Sequence, residues 1–333
     1  MTRVAVLGAG SWGTALGDVL ARNGHRVTLW CRDPGLAGEI RQGHNDRYLP
    51  GVELAGGIGA TSWLAEALEE AEVVVSAVPS HVVREVMSAL TSQVREPRLI
   101  SATKGIEIQT DLRMSQVVEE VLGTEAARRM VVLSGPSFAQ ELVRQLPTAA
   151  VAACREAEEG VQAQLLFQNE WFRIYTQGDV VGTELGGSLK NVIALAAGMS
   201  DGLRLGDNAR AALITRGLAE MTRLAVKLGA EEATLAGLAG IGDLVLTCTG
   251  DQSRNRSVGV AIGAGRKPRE VLAGMASVVE GFRTARAAHE LALAQQVEMP
   301  IVNAVYSILY EGLAPREALA ALMAREPKPE RWS

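Results

Sequence analysis

The chain has 333 residues, more than one hydrophobic core ordinarily supports, so two domains are expected. Hydrophobic residues make up 47% and charged residues 21%, a balance typical of a compact globular protein. The net charge of -5 excludes a protein built to coat nucleic acid, but not a local basic site for a small anion. The three cysteines are widely spaced and odd in number, which argues against a disulfide framework.

No stretch of 18 or more residues is free of polar or charged interruptions, so no membrane span is predicted. The first residues lead directly into an apolar run and lack the layout of a signal peptide. We therefore expect a cytoplasmic protein.

The first half of the chain alternates short apolar runs with helical segments. Such alternation indicates a mostly parallel sheet covered by helices on both faces, as in α/β proteins. The predicted strands are residues 4–7, 27–30, 73–78, 99–102 and 130–133, and residues 148–153 and 172–175 are expected to add two further strands at an edge of the sheet. Helices are predicted over residues 13–23 and 80–90.

After about Asp179 the strand-like runs end and alanine and leucine become abundant. Helical spacing predicts helices over residues 180–199, 208–228, 279–296 and 300–310, the last with a proline in its first turn. We therefore predict an α/β dinucleotide-binding domain over residues 1–178 and an all-α substrate and catalytic domain over residues 179–333.

The first predicted strand leads into a G-x-G-x-x-G turn and then into a helix. Gly8 permits the tight turn, Gly10 lets a pyrophosphate approach the backbone, and Gly13 lets the helix pack on the strand. A merely structural glycine turn is the alternative, but strand, spacing, helix and second strand all favour a Rossmann-type dinucleotide site. The N-terminus of the helix would supply free N–H groups to the anion.

The choice of cofactor is expected to depend on the end of the second strand. An acidic residue there binds the ribose 2′-hydroxyl of NAD(H), whereas an arginine accommodates the 2′-phosphate of NADP(H). Here Arg32 is followed directly by Asp33, so NADP(H) is favoured and NAD(H) stays open. The alternative is that Arg32 is only a solvated side chain.

Polar loops follow three further strands. They are residues 78–81, residues 101–105 with Lys104, and residues 134–139 with Gly135, Ser137 and Ala139. Because ligands bind at the carboxyl ends of strands in open α/β sheets, the three loops predict one shared cleft. His81 has no second histidine at metal-ligand spacing, and no metal site is predicted.

Lys190 is the sole charged residue of the apolar segment 185–200. A buried ammonium group needs a carboxylate, a ligand or a lowered pKa, and such a lysine suits proton transfer at a carbonyl or alcohol oxygen. The alternative is a lysine that extends to the surface and has no chemical role. Both interpretations are open from the pattern alone.

A carboxylate and a basic loop follow later in the chain. Asp243 stands between a glycine pair and an apolar run. Ser253 can cap the next helix, which would gather Arg254, Asn255 and free N–H groups at its positive end. Forked guanidinium donors make such a loop a phosphate receptor, and an arginine-rich helix start facing water is the alternative.

Taken together, these segments resemble the bacterial NAD(P)-dependent glycerol-3-phosphate dehydrogenases over nearly the whole length. The resemblance depends on the order and spacing of the set more than on any one member. The matching segments are residues 8–16, 78–81, 134–139, 189–191, 208–217, 240–244 and 253–255.

The resemblance implies a Rossmann-type domain, a helical C-terminal domain, NADP(H) or NAD(H) as cofactor, and reversible reduction of dihydroxyacetone phosphate to sn-glycerol 3-phosphate. It implies catalytic roles for Lys190, Lys104 and Asp243. Implied substrate contacts are Lys104, Gly135, Ser137, Lys190, Asp243, Ser253, Arg254 and Asn255. Implied cofactor contacts, besides the glycine turn, are Ser11, Trp12, Arg32, Lys104, Ala139, Arg254, Val278 and Glu280.

The resemblance also implies a homodimer and supply of glycerophospholipid synthesis. One rival is a dehydrogenase of the β-hydroxyacid or 6-phosphogluconate type, which usually has an asparagine one turn after its catalytic lysine. Here Asn191 is adjacent to Lys190 and Ala194 stands one turn later, which disfavours that type. The second rival is a cofactor-sensing module without chemistry, which would lack a buried lysine and a phosphate loop.

Overall fold

A computed structural model describes residues 1–92, 97–275, 279–327 and 329–330. One eight-stranded sheet forms its first half, in the spatial order β3-β2-β1-β4-β5-β6-β7-β8. The strands are β1 Arg3–Leu7, β2 Arg26–Trp30, β3 Gly59–Thr61, β4 Val73–Ser76, β5 Arg98–Ser101, β6 Val131–Ser134, β7 Thr148–Ala153 and β8 Phe172–Gln177. All neighbours pair in parallel except β6 and β7, which are antiparallel.

Helices cover the sheet and form the second half. In the first half they are α1 Ser11–Arg22, α2 Pro34–Arg41, α3 Leu64–Leu68, α4 Val83–Ser88, α5 Met114–Leu122, α6 Thr124–Arg129, α7 Ala139–Val143 and α8 Ala157–Phe167. In the second half they are α9 Val180–Gly202, α10 Asp207–Lys227, α11 Glu232–Leu235, α12 Asp243–Thr249, α13 Arg254–Gly263, α14 Pro268–Ala273, α15 Glu280–Ala294, α16 Pro300–Tyr306 and α17 Pro315–Met323. Short 3₁₀ turns Ser80–Val82 and Ala89–Ser92 flank α4, and π-helical turns cover Leu238–Gly242 and Ser307–Glu311.

The sheet is buried on both faces because alternate side chains of each strand enter different cores. Val4 and Val6 of β1 belong to the apolar cluster on one face, and Ala5 and Leu7 belong to the cluster on the other. The chain reverses direction across the sheet between β1 and β4, because β2 and β3 lie on one side of β1 and the later strands on the other. Such a switch point opens a crevice at the carboxyl ends of the strands.

Helix α9 forms the centre of the helical half. Its residues from Leu185 to Ser200 are all buried, and the Asp179 side chain caps its first turn by accepting the Gly182 N–H at 2.8 Å. Helix α13 crosses α9 closely because Gly198 and Gly259 face each other there. A Cβ on either glycine would lie 2.9 Å from the other's Cα. At the start of α13, the Asn255 side chain donates to Asn191 Oδ1 in the middle of α9 at 2.9 Å.

The structure confirms the predicted fold class, an α/β domain with a mostly parallel sheet followed by a helical domain. It also confirms the two further strands, β7 and β8, which are added at one edge of the sheet with β8 outermost. The single helix predicted over residues 80–90 is wrong, because the segment is divided into a 3₁₀ turn, α4 and a second 3₁₀ turn. The three-residue strand β3 was not predicted, since so short a run carries no period. The domain boundary at residues 178 and 179 stays a prediction.

Among the described residues, no single helix is long and apolar enough to cross a membrane. Two consecutive helical segments, Glu232–Thr249 and Arg254–Gly263, would together be long and apolar enough by length and composition, but they are bent by 49° where they join.

Candidate active site

A cavity of about 1040 Å³ lies at the carboxyl ends of the strands, between the sheet and the helical half. The glycine turn, the loops after β4 and β5, and the starts of α7, α12, α13 and α15 all contribute to its wall. The predicted site residues in the wall are Gly8, Gly10, Ser11, Trp12, Gly13, Arg32, Lys104, Ser137, Ala139, Lys190, Asp243, Ser253, Arg254, Asn255 and Glu280.

The glycine turn has the geometry that the sequence predicts. Gly8 has a φ of +106°, and a Cβ there would lie 2.8 Å from the Ala77 carbonyl oxygen. Gly13 packs directly against the Gly8 carbonyl, with no room for a side chain. Gly10, in contrast, has nothing within 4 Å of an added Cβ, so its open side faces the cavity. The backbone N–H groups at the start of α1 have no side-chain cap.

Buried polar groups next to the turn support a cofactor there. The Asn45 side chain donates to the Ala9 carbonyl at 3.1 Å and to Thr14 Oγ1 at 2.8 Å, which fixes the turn from behind. The indole nitrogen of Trp12 is buried without a hydrogen-bond partner among the described residues. A cradle open at Gly10, uncapped N–H groups and an unsatisfied donor fit a bound dinucleotide with its anionic pyrophosphate.

Replacement of Gly10 by alanine tests this cradle. Gly10 has ordinary extended angles, φ −70° and ψ 179°, so the fold tolerates a methyl group that projects into the cavity. The methyl group would keep the pyrophosphate away from the backbone N–H groups. We expect the Kd for NADPH to rise about tenfold or more, the effect of losing one hydrogen bond to a charged group, without a change in Tm. Gly56→Ala is the matched control, because Gly56 is exposed and has equal space around it. Unchanged NADPH affinity, measured by fluorescence titration, would contradict the cradle.

Two lysines converge on one carboxylate in the middle of the cavity. Lys104 donates to Asp243 Oδ2 at 2.7 Å, and Lys190 donates to Asp243 Oδ1. Asp243 is 1% exposed and Lys190 is 6% exposed. The surface interpretation of Lys190 is therefore wrong, because the lysine is buried and paired.

Further hydrogen bonds fix both ammonium groups. Lys190 also donates to Thr247 Oγ1 at 2.8 Å, and Thr247 in turn donates to the Asp243 carbonyl at 2.6 Å. Lys104 also donates to the Gly135 carbonyl at 3.1 Å. An ammonium group has three donors, so within the described part of the chain each lysine keeps one donor for a ligand.

Burial and the neighbouring charges set the pKa values of this cluster. The pKa of Lys190 is lowered to about 8, chiefly by burial, with Asp243 opposing the shift and the Lys104 ammonium adding to it. Burial alone would raise the pKa of Asp243, but the two ammonium groups hold it below its ordinary value. Near neutral pH the cluster therefore carries two positive charges and one negative charge.

Close packing brings these residues together from distant parts of the chain. Helix α9 passes the sheet at Gly187, where a Cβ would lie 2.7 Å from Ser134 Oγ and 3.5 Å from Lys104 Cγ. Gly135 has a φ of +132°, which turns the chain after β6. Its carbonyl accepts from Ser137 Oγ at 3.0 Å as well as from Lys104. Glycines at 135 and 187 thus let the loop, the lysine and the helix meet.

The start of α13 forms the predicted basic loop. The Ser253 side chain caps the helix by accepting the Arg256 N–H at 3.2 Å. Arg254 lies in the cavity wall, where desolvation lowers its pKa and Glu280 opposes the shift. Asn255 donates to Asn191 Oδ1 at 2.9 Å and accepts the Gly281 N–H at 3.0 Å, which fixes the orientation of its amide.

The start of α15 contributes a carboxylate to the cavity. Glu280 accepts from Ser80 Oγ at 2.8 Å, and burial raises its pKa. A Cβ on Gly105 would lie 2.6 Å from Ser80 Cβ and 2.9 Å from Glu280 Oε2, so only glycine fits beside this pair. Val278, an implied cofactor contact, lies outside the described residues.

Several wall residues were not predicted from the sequence. Thr247 follows Asp243 by one helical turn, and this spacing was the signal that could have found it. Arg47 and Tyr48 lie in an irregular loop that gives no periodic signal. In the part of the chain that the structure describes, no cluster of three or more His, Cys, Asp or Glu residues could hold a metal ion.

The chain is similar to glycerol-3-phosphate dehydrogenases along nearly its whole length. Models of the N-terminus and the C-terminus of the NAD-dependent glycerol-3-phosphate dehydrogenases match residues 3–160 and 179–320. A glycerol-3-phosphate dehydrogenase (NAD(P)+) of Geobacter metallireducens is 52% identical over 331 residues, 99% of each chain. The crystal structure of glycerol-3-phosphate dehydrogenase from Coxiella burnetii is 40% identical, with a TM-score of 0.92 over 97% of this chain and 99% of that one.

Proposed function

The chain belongs to the NAD-dependent glycerol-3-phosphate dehydrogenase family, and we propose that Lys190 is the residue that exchanges a proton with its substrate. The protein is an NAD(P)-dependent oxidoreductase that interconverts dihydroxyacetone phosphate and sn-glycerol 3-phosphate. The observation that supports the role of Lys190 is its buried ammonium group, held by Asp243 and Thr247 with one donor left over.

The glycine turn, Ser11 and Trp12 hold the cofactor in this proposal, with Arg32, Ala139 and Glu280 at other parts of the same wall. When bound, the nicotinamide supplies the hydride for reduction or accepts it in oxidation. The N–H groups at the start of α1 bind the pyrophosphate. Lys104 lies 6.0 Å from the ring centre of Trp12, so the cofactor wall and the lysine cluster adjoin.

The lysine cluster acts on the oxygen of the central substrate carbon. In the direction of reduction, protonated Lys190 donates a proton to the carbonyl oxygen, and the reverse reaction returns the proton to Lys190. Lys104 uses its remaining donor to stabilise the negative charge that develops on that oxygen. Asp243 holds both ammonium groups in place and opposes the lowering of the Lys190 pKa.

The phosphate of the substrate binds at the start of α13. Arg254 supplies a forked, charged donor, and Asn255 supplies an amide whose orientation is fixed by Asn191 and Gly281. Ser253 and Ser137 lie in the same wall, and Gly135 orients Lys104. Holding the phosphate restricts the motion of the substrate near the reacting groups.

Arg254→Gln tests the phosphate site. We expect the KM for dihydroxyacetone phosphate to rise by about 10- to 100-fold, because one charge-assisted pair is lost. Arg266→Gln is the control, since it removes the same charge from an exposed position beyond α13. Steady-state kinetics at saturating NADPH measure both variants. An unchanged KM in Arg254→Gln would remove this residue from the substrate site.

One assay tests the function as a whole. Protein, NADPH and dihydroxyacetone phosphate are mixed, and the absorbance of the reduced cofactor is followed. Oxidation with this substrate and none with 3-hydroxy acids or their keto forms supports the proposal. Cofactor binding without turnover of any substrate would favour the sensing module instead.

The homodimer, the cytoplasmic location and the supply of glycerophospholipid synthesis stay predictions based on family resemblance and sequence. Light scattering of the purified chain measures the oligomeric state. A monomer at working concentration would contradict the dimer without affecting the proposed chemistry.

A further inference from the structure

Beside the carboxyl end of β2 the cavity wall contains a charged cluster of which the proposed function uses only Arg32. Arg32, Asp33, Arg47 and Tyr48 all line this part of the wall, beside the carboxyl end of β2. We call these four residues the β2 rim. In doubly wound sheets, the ribose of the adenosine half of a dinucleotide lies at the end of the second strand, so the rim adjoins the 2′-position of the cofactor.

Both carboxylate oxygens of Asp33 already have partners in the protein. Asp33 Oδ1 caps α2 by accepting the N–H groups of Gly35 at 2.9 Å and Leu36 at 3.4 Å. Its Oδ2 accepts from Arg47 at 3.0 Å. A carboxylate that selects NAD(H) has to accept the ribose hydroxyls, and Asp33 could do so only by giving up these contacts.

Arg47 is held at the rim by its neighbours but is accessible to a ligand. Its side chain is half exposed, and its guanidinium carbon lies 5.5 Å from the ring centre of Tyr48. The Tyr48 carbonyl accepts from Ser11 Oγ at 3.0 Å, which ties this segment to the pyrophosphate turn. Arg47 therefore lies close to the turn, and within the described residues its one ion pair is with Asp33.

The charges of the rim favour an anion. Arg32 is exposed and makes no ion pair within the described ranges, so two guanidinium groups face one carboxylate. The first N–H groups of α2 are taken by Asp33, and Pro34 has none, so the side chains are the donors left for a ligand. Forked guanidinium donors match the oxygens of a phosphate monoester.

We propose that Arg47 binds the 2′-phosphate of NADP(H) together with Arg32, exchanging its contact with Asp33 for the phosphate. This inference depends on the proposed function, since it requires the cofactor to lie along the cavity from the glycine turn. It makes Arg47 a specificity-determining residue, and Asp33 the group that holds Arg47 when NAD(H) is bound. The chain then binds NADP(H) more tightly than NAD(H).

The test is a binding measurement on the full chain with Arg47→Gln. Fluorescence titration gives the Kd for NADPH and NADH, and competition gives the Kd for adenosine 2′-phosphate. We expect about tenfold weaker binding of NADPH and of adenosine 2′-phosphate, as for loss of a charge-assisted pair, while the Kd for NADH changes by less than about twofold. Arg26→Gln is the control, because Arg26 is 66% exposed at the opposite end of β2.

A second variant, Asp33→Asn, tests independently whether Arg47 exchanges Asp33 for the phosphate. Asparagine caps a helix as well as aspartate does, so α2 is kept while the competing charge is removed. We expect NADPH to bind at least about threefold more tightly, because the phosphate no longer competes with the carboxylate for Arg47. Unchanged or weaker NADPH binding in this variant would overturn the exchange.

Two results with Arg47→Gln would overturn the role of Arg47. One is unchanged NADPH affinity, and the other is an equal loss for NADPH and NADH, which would indicate a structural effect. Failure of the proposed function is distinguishable, because wild-type protein would then oxidise neither cofactor with dihydroxyacetone phosphate. The titrations do not depend on turnover and separate the two cases.

Discussion

Lys190→Met is expected to lower kcat by at least about 10²-fold, the size typical of losing a general acid or base. Methionine keeps most of the length of the buried side chain and removes the proton. Asp243 stays paired with Lys104 in this variant, so no unpaired buried charge results. The Kd for NADPH and the Tm should therefore stay close to those of the wild type.

The pH dependence of the wild type identifies the group that Lys190→Met removes. Burial lowers the pKa of Lys190 to about 8, so the lysine carries its proton below that pH and loses it above. Reduction needs the protonated form, so kcat/KM for dihydroxyacetone phosphate should fall as pH rises through about 8. Oxidation of sn-glycerol 3-phosphate needs the neutral form and should rise over the same range.

Lys227→Met is the matched control, because Lys227 is exposed on α10. It should leave kcat and the pH profile unchanged. Near-normal turnover of folded Lys190→Met would remove Lys190 from the mechanism. Retention of the alkaline decline in kcat/KM by that variant would assign the titrating group to another residue.

Local chemistry explains why the cofactor-binding turn could be predicted from the sequence. The tasks of Gly8, Gly10 and Gly13 depend on backbone angles and close approach within one strand–turn–helix unit, so spacing alone specifies them. The capping role of Ser253 could be predicted for the same reason, since a cap acts on the next three residues of its own helix.

The unpredicted contacts depend on packing between distant segments. Whether Lys190 was buried or extended to the surface depended on where α9 crosses Lys104 and α12, and no local pattern reports that crossing. The rim residue Arg47 shows the same limit. Arg47 lies 14 residues after Asp33 in an irregular loop. The sequence of such a loop does not distinguish a charged side chain that has a partner from one that is only solvated.

Asp243→Asn removes the negative charge on which the whole cluster depends. The two ammonium groups share this one carboxylate, so an amide in its place leaves two positive charges facing each other in a buried site. Asp243 opposes the lowering of the Lys190 pKa, and its loss should therefore move that pKa below about 8. Lys190 would then be largely deprotonated near neutral pH, which is the wrong form for reduction.

Two measurements on Asp243→Asn should change together. The alkaline decline of kcat/KM should move to lower pH, with activity in reduction at neutral pH falling about 10²-fold or more. The free energy of unfolding from urea titration should fall by about 3 kcal/mol, as when one partner of a buried ion pair is removed. Asp251→Asn is the control, because Asp251 is 99% exposed and pairs with Arg256 outside the cluster. If Asp243→Asn lost stability while its pH profile stayed unchanged, Asp243 would be a structural residue that does not set the charge of Lys190.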